Sequence, residues 1–314
     1  METHLCRIIA LFTAILLDVI FGELPNRFHP VSWMGKWVSW SSRKALAIPE
    51  TEKGKRFAAG VFLMLGGMVV FGIPVFFLSR MMERMPFFLS GIAAGILLKP
   101  MFSLKGLFRA AKEIENALSQ NDLNEARRLV SWHLVSRDTS KLSGEQVASA
   151  AVESVAENLT DAFASPLTAF FCFGLAGAWI YRLINTADAM IGYHTQEWEY
   201  IGKFAARMDD VVNWIPARFS AVLIVLCAFI LQGSDGKKAF AVMKTDHGKF
   251  SSPNAGWTIS AAAGALNVHL EKIGCYSVNE GGKAPEAADI DQSCRLVLAA
   301  EIITVLLLAA CMFI

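Results

Sequence analysis

Apolar stretches of membrane-spanning length recur along the chain. Phe57 to Ser79 carries no charge, and Leu296 to Ile314 carries one acid, Glu301. Val211 to Leu231 is interrupted by Arg218. Ala162 to Ile184 holds Pro166 near its start and Arg182 near its end, and Leu5 to Gly22 holds Arg7 and Asp18. Pro86 to Phe102 is the shortest and is closed by Lys99-Pro100. A helix crossing a bilayer needs about 20 mostly apolar residues. The pattern therefore predicts an all-α, polytopic integral membrane bundle of about five to six spans. The first run is expected to be a retained helix and not a signal peptide, because Asp18 sits inside it and no small-residue cleavage site follows.

The segments between the runs read as amphipathic and loop helices. Trp33, Trp37 and Trp40 recur at i, i+4 and i+7 on one helical face, which suits the membrane–water boundary. Residues 103–132 read as two soluble helices with a turn at Asn121-Asp122. Ser251 to Trp257, SSPNAGW, reads as a turn capping the small-residue helix TISAAAGAL, and 277–292 as a flexible loop. Residues 1–314 are read as a single membrane-embedded catalytic domain. Its loops 23–56, 103–161 and 232–295 each hold seven basic residues, against six on the opposite side. That excess predicts that these loops face the cytoplasm.

Composition narrows the classes. Apolar residues make up 54% of the 314, and charged residues only 18%, against roughly 25% in an average soluble domain. Lys and Arg number 29 against 28 Asp and Glu, a balance that suggests no nucleic-acid partner. The six cysteines show no CxxC and no zinc spacing with histidine, and read as buried thiols in a reducing compartment. Neither a P-loop nor a GxGxxG motif occurs.

The polar residues gather between Ser136 and Arg218. Glu153, Glu157 and Asp161 are spaced i, i+4, i+8, and at α-helical geometry they fall within an arc of about 80°, with Asn158 beside them. Their repulsion calls for a cation, either magnesium carrying a phosphate or nearby Lys and Arg on an ordinary solvated face. A second group follows: Arg182, Asn185 and Asp188, then Arg207, Asp209, Asp210 and Asn213, with Arg218 further in. Ionisable groups at membrane depth are unfavourable by roughly 2.5–3.5 kcal/mol each. They either line a polar cavity or staple helices as ion pairs. On a six-span count the loop 185–210 lies opposite the one bearing Glu153, so 162–184 is expected to be broken or re-entrant, with Pro166, Gly174 and Gly177 as the breakers.

In order and residue type, these motifs resemble those of the adenosylcobinamide-phosphate synthase family, membrane enzymes of cobalamin biosynthesis. The resemblance runs through LLDVIFGELPNRFHPVSWMGKWV, Arg137-Asp138-Thr139, ESVAENLTDAFASPL, YRLINTADAMIGY, ARMDDVVNWIPAR, and SPNAGW with AAAGALNV. Ser136 and Asn267 stand where the family usually has glycine, and Tyr276 to Pro285 matches poorly.

The resemblance implies an ATP-dependent amide ligase joining adenosylcobyric acid to aminopropanol phosphate, or a close amino-alcohol phosphate. It implies magnesium and ATP (as a substrate), with the corrinoid cobalt carried by the substrate. Placed on the matched positions, Glu153, Glu157 and Asp161 would hold magnesium. Arg137, Arg182, Arg207 and Arg218 would clamp phosphates, and Asp188, Asp209 or Asp210 would take a proton from the amine. Asn158, Asn185, Asn213 and Asn254 would meet corrin amides, with Asp18, His29, Asp138, Tyr193 and Ser252 as further substrate contacts. The implied partners are the corrinoid and amino-alcohol phosphate substrates and membrane lipid, with a homo-oligomer or other cobalamin-assembly membrane proteins left open. The implied location is the cell membrane, multi-pass, with the active site toward the cytoplasm. Two other classes compete: a magnesium-dependent membrane prenyl or phosphoalcohol transferase, and a transporter, whose usual two related halves are not visible here.

Overall fold

A bilayer core offers no water to backbone N–H and C=O groups, so apolar runs of this length satisfy them internally as helices. The structure, a computed structural model describing residues 2–135 and 138–313, follows that rule. The chain begins with α1 (Glu2–Phe21), α2 (Pro30–Leu46) and α3 (Lys53–Gly67). A π-helical stretch (Met68–Gly72), α4 (Ile73–Met82) and α5 (Phe87–Leu98) follow. Next come α6 (Lys105–Ser119), α7 (Leu123–His133), α8 (Gly144–Asn158) and a second π-helical stretch (Leu159–Ala164). After them run α9 (Ser165–Ile191), α10 (Lys203–Val212), α11 (Trp214–Ile230), α12 (Gly236–Asp246) and α13 (Ala255–Leu266). A two-stranded antiparallel hairpin, β1 (Leu270–Lys272) and β2 (Tyr276–Val278), precedes α14 (Ala287–Phe313).

Among the described residues, five helical runs are long and apolar enough to cross a membrane: His4–Phe21, Lys53–Met82, Phe87–Ser119, Gly144–Ile191 and Ala287–Phe313. The pair Lys203–Val212 and Trp214–Ala228, bent by 49°, is a sixth if counted as one span. The expectation of five to six spans is met. Gly144–Ile191 holds 48 residues. At 1.5 Å per residue that is about 72 Å, more than twice a hydrocarbon core, so only part of it crosses. Its helix is interrupted at Gly174, where φ is 69° and ψ is −162°. The expected break therefore falls at Gly174, not at Pro166 or Gly177.

The chain divides into two compact units. Unit 1 comprises Met1–Ser103, Ser165–Asn213 and Leu307–Ile314; unit 2 comprises Leu104–Ala164 and Trp214–Leu306. In unit 1, α1 packs along α5. Gly91 and Gly95 allow it: a Cβ on Gly91 would lie 2.9 Å from the Cys6 carbonyl oxygen, and one on Gly95 2.7 Å from that of Ala10. Small residues four apart bring membrane helices this close. On α2, the indole N–H of Trp37 donates to the Leu63 carbonyl at 3.0 Å, while Trp33 and Trp40 stay exposed.

In unit 2, α6 and α7 meet at Asn121, which takes a left-handed φ of 58°, and Asp122 caps α7 by accepting from Glu125 N. The SSPNAGW turn is present: Ser252 Oγ accepts from the backbone of Asn254 and Ala255 at the start of α13. The reading of 277–292 as a flexible loop is corrected. Residues Tyr276–Val278 form β2, and α14 starts at Ala287. Asn279 anchors the segment, since its side chain donates to the carbonyls of Ala263 and Val268 while its N–H donates to Asp246.

The Gly174 backbone lies in a region essentially reserved for glycine, although a Cβ there would touch nothing within 4 Å. Gly174→Ala is therefore expected to destabilise the protein by on the order of 1–3 kcal/mol through conformation alone. Gly54→Ala, in open space on helix α3, is expected to be neutral or slightly stabilising. Thermal unfolding in detergent checks the pair, and equal melting temperatures for the two variants contradict the account.

Candidate functional site

In unit 2, a polar cavity of about 160 Å³ is lined by Glu153, Ser154, Glu157, Lys272 and Tyr276, among others. The acids come from α8, and β1 and β2 bring Lys272 and Tyr276. Glu153 is buried and fixed from two sides. Its Oε1 accepts from Ser149 Oγ at 2.7 Å, and its Oε2 accepts from the Tyr276 hydroxyl at 2.6 Å. Ser149 Oγ in turn accepts from Glu271 N at 3.0 Å, and the Phe250 ring lies 4.1 Å from that of Tyr276.

Asp161 does not line this cavity. It sits in the π-helical stretch Leu159–Ala164, two turns and about 12 Å of helical rise beyond Glu153. Among the described residues no three His, Cys, Asp or Glu side chains come together as ready metal ligands. Asn158 turns back on its own helix, donating to the Ser154 carbonyl at 2.8 Å.

Elsewhere in unit 2, Arg218 Nη1 donates to the Trp214 carbonyl at 2.6 Å and to Asn254 Oδ1 at 3.3 Å. Its guanidinium lies over the rings of Trp214 and Trp257, at 4.2 and 4.9 Å. Arg218, Asn254 and the Ser252 cap are thus neighbours, although they come from two separate motifs. Asp138 is exposed and accepts from Ser140 N at 2.9 Å. Hydrogen bonds from the Ser140 backbone and side chain hold its carboxyl below the usual range. Arg137 lies outside the described residues.

Unit 1 carries two further polar clusters. In the first, Lys99 Nζ is 3.2 Å from both Asp18 Oδ1 and Glu23 Oε2, and Glu23 Oε2 is 3.1 Å from His29 Nε2. His29 caps α2 by accepting from Val31 N at Nδ1, 3.2 Å, so the proton of the neutral ring sits on Nε2. Both ring nitrogens are engaged within the protein. Burial would raise the Glu23 carboxyl, but hydrogen bonds from His29 and Ser103 and the Lys99 ammonium outweigh it and hold the pKa at about 2.

The second cluster centres on Asn213, which is buried. Its Oδ1 accepts from Ser165 Oγ at 2.5 Å and from the Tyr181 hydroxyl at 3.0 Å. That fixes its Nδ2 toward Asp209 Oδ2, 2.8 Å away. Asn185 Nδ2 approaches the other Asp209 oxygen at 3.5 Å, and Arg182 Nη1 donates to Asn185 Oδ1 at 3.3 Å. Arg182, Asn185, Asp209 and Asn213 are therefore brought together. Asp210 instead faces Arg207, 3.9 Å away on the exposed side. The Tyr193 hydroxyl donates to the Ala189 carbonyl, and the Asp188 carbonyl accepts from Gly192 N at the end of α9.

Sequence reasoning did not single out Glu23, Lys99, Ser165, Tyr181, Lys272 or Tyr276. Lys99 carried a usable signal, because a lysine closing an apolar run needs an acid if it is buried. Ser165 and Tyr181 lie inside the quoted motifs, where the charged neighbours drew the attention.

The bundle and its clusters define a polytopic helical membrane protein with carboxylate-, asparagine- and arginine-rich polar sites. A family model described as "CobD/Cbib protein" matches residues 11–297, and the chain belongs to that family, as the motif order indicated. It is 43% identical over 285 residues to "Cobalamin biosynthesis protein CobD" of Dehalococcoides mccartyi, covering 91% of this chain and 90% of that one. It is 41% identical over 273 residues to "Probable cobalamin biosynthesis protein CobD" of Methanocaldococcus jannaschii, covering 87% and 88%. No solved structure matches.

Because the Glu23 pKa lies below its ordinary 4.5, the folded state binds this proton less readily than the unfolded state. The stabilisation is complete above pH 4.5 and is lost as the pH falls toward about 2. The melting-temperature gap between wild type and Glu23→Gln should therefore be full at neutral pH and narrow below pH 4.5. A gap independent of pH contradicts the ion cluster.

Proposed function

We propose that this chain is an ATP-dependent amide ligase of cobalamin biosynthesis. It joins a carboxylate of adenosylcobyric acid to the amine of aminopropanol phosphate, or a close amino-alcohol phosphate, giving adenosylcobinamide phosphate. Membership of the CobD/Cbib family and the names of the relatives support the pathway. The observation that carries the chemistry is the unit 2 cavity, with two carboxylates, an ammonium and a phenol around about 160 Å³. That volume suits a phosphate group with its counter-ion, not a corrin ring. The reaction is placed at the cytoplasmic face of the cell membrane, in line with the basic loops.

A carboxylate is a poor acyl donor. In the proposed reaction a carboxylate oxygen of the corrinoid takes the γ-phosphoryl of ATP, releasing ADP and leaving an acyl phosphate. The amine attacks the acyl carbon, the C–N bond forms, and the C–O bond to phosphate breaks with release of inorganic phosphate. Asp188, Asp209 or Asp210 takes the proton that the ammonium must lose before attack. The donor set fits a magnesium ion that arrives with the nucleotide, since that ion takes one or two carboxylates plus phosphate oxygens and water. Glu153 and Glu157 would hold it, and when bound it neutralises charge on the phosphate oxygens. Ser149 and Tyr276 orient the Glu153 carboxylate. Lys272 offers a cation to phosphate from the same cavity wall, and Arg218 is a guanidinium lying over two indole rings.

Product formation by purified protein in nanodiscs, with both substrates, ATP and magnesium, tests this by mass spectrometry. Glu153→Gln and Glu157→Gln should each lower turnover by roughly 100-fold or more while the protein still inserts. Tyr276→Phe, which loosens Glu153 without removing a charge, should lower it by about 10-fold. Wild-type rates in both Gln variants would sink the magnesium assignment. Turnover of a diphosphate substrate without ATP would favour a phosphoalcohol or prenyl transferase instead.

A further inference from the structure

A second cavity, of about 240 Å³, lies in unit 1 where the start of α1, the end of α4, the start of α5 and the broken α9 meet. It contains none of the residues assigned to ligation. Arg7, Arg80 and Glu83 supply its charges, and Phe76, Phe170 and Phe173 part of its apolar wall. The break at Gly174 explains why an arginine sits here. Distorting the helix frees carbonyls of the preceding turn, and Arg7 Nη1 donates to that of Phe171 at 3.2 Å.

The Arg7 guanidinium has five N–H donors. Among the described residues no carboxylate lies within ion-pair distance of it, while Arg80 is paired with Glu83 at 2.9 Å. The lining therefore carries one uncompensated positive charge. It does so at a level where apolar runs end, since Lys53–Met82 stops and Phe87–Ser119 starts beside it. The rings of Phe76 and Phe173 are exposed on the same unit, an apolar surface continuous with the cavity wall. One spare cation at the end of the spans, walled by phenylalanine, is the arrangement that receives an anionic head on an apolar tail.

We propose that this cavity binds the phosphate of an anionic phospholipid headgroup, with Arg7 as its cation and the acyl chains lying along Phe76 and Phe173. The single net positive charge of the lining matches one net negative charge on the lipid. A zwitterionic head would bring its own cation toward Arg80.

The test uses the full chain in mixed micelles of phosphatidylglycerol and phosphatidylcholine with identical acyl chains, read by native mass spectrometry. Wild type should retain phosphatidylglycerol in preference. Arg7→Gln should lower that retention by roughly fivefold, the effect of one basic residue on anionic lipid, and Arg84→Gln, outside the cavity lining, should leave it unchanged. Should Arg7→Gln fail to fold, Ala94→Phe fills the cavity with Arg7 intact and should give the same loss. Equal retention of the two lipids by wild type overturns the proposal, as does unchanged retention in folded Arg7→Gln or Ala94→Phe. Displacement of the lipid by millimolar inorganic phosphate would also overturn it, by assigning the site to a soluble anion.

Discussion

Lys99 sits with its ammonium 3.2 Å from Asp18 and 3.2 Å from Glu23, and only Glu23 of the three has substantial solvent contact. A charge in that position is tolerable only with its partners, because the surrounding medium supplies none. Asp18 ends α1 and Lys99 follows α5, so the ion pair locks the same two helices that Gly91 and Gly95 bring into contact. Close backbone approach and charge neutralisation thus fix one helix pair together, and His29 extends the cluster to the start of α2.

The same demand for internal partners shapes the other clusters. Asn213 is aimed at Asp209 only because two hydroxyls occupy its carbonyl oxygen. Glu153 is held by Ser149 one turn back and by Tyr276 from the hairpin. In each case a carboxylate that the apolar setting disfavours is kept in one orientation by neutral hydrogen-bond donors. Such groups are held rigid in one orientation. That is the state in which a carboxylate is useful to a metal–phosphate or to a proton.

Much of this architecture was legible in the residues. The spans follow from apolar length, the α6–α7 turn from Asn121-Asp122, the cap of α13 from Ser252, and the interruption of α9 from a glycine within an apolar run, at Gly174. Family membership followed from motif order. Three things were not legible, each for a physical reason. Asp161 falls outside the Glu153 cavity because a shared face does not mean a shared depth, and two turns of rise separate the two acids. Three-residue strands carry no periodicity, so Tyr276 and Lys272 were hidden in an apparent loop. Ser165 and Tyr181 are common buried residues whose role appears only when Asn213, far along the chain, is brought beside them.

The central claim is that ATP activates the corrinoid carboxylate as an acyl phosphate. Heavy-oxygen labelling of that carboxylate tests it most directly, with the released inorganic phosphate read by mass spectrometry during turnover. The account predicts that label moves from the carboxylate into the phosphate with each amide formed. Unlabelled phosphate with amide still forming, or label recovered in AMP, would contradict it.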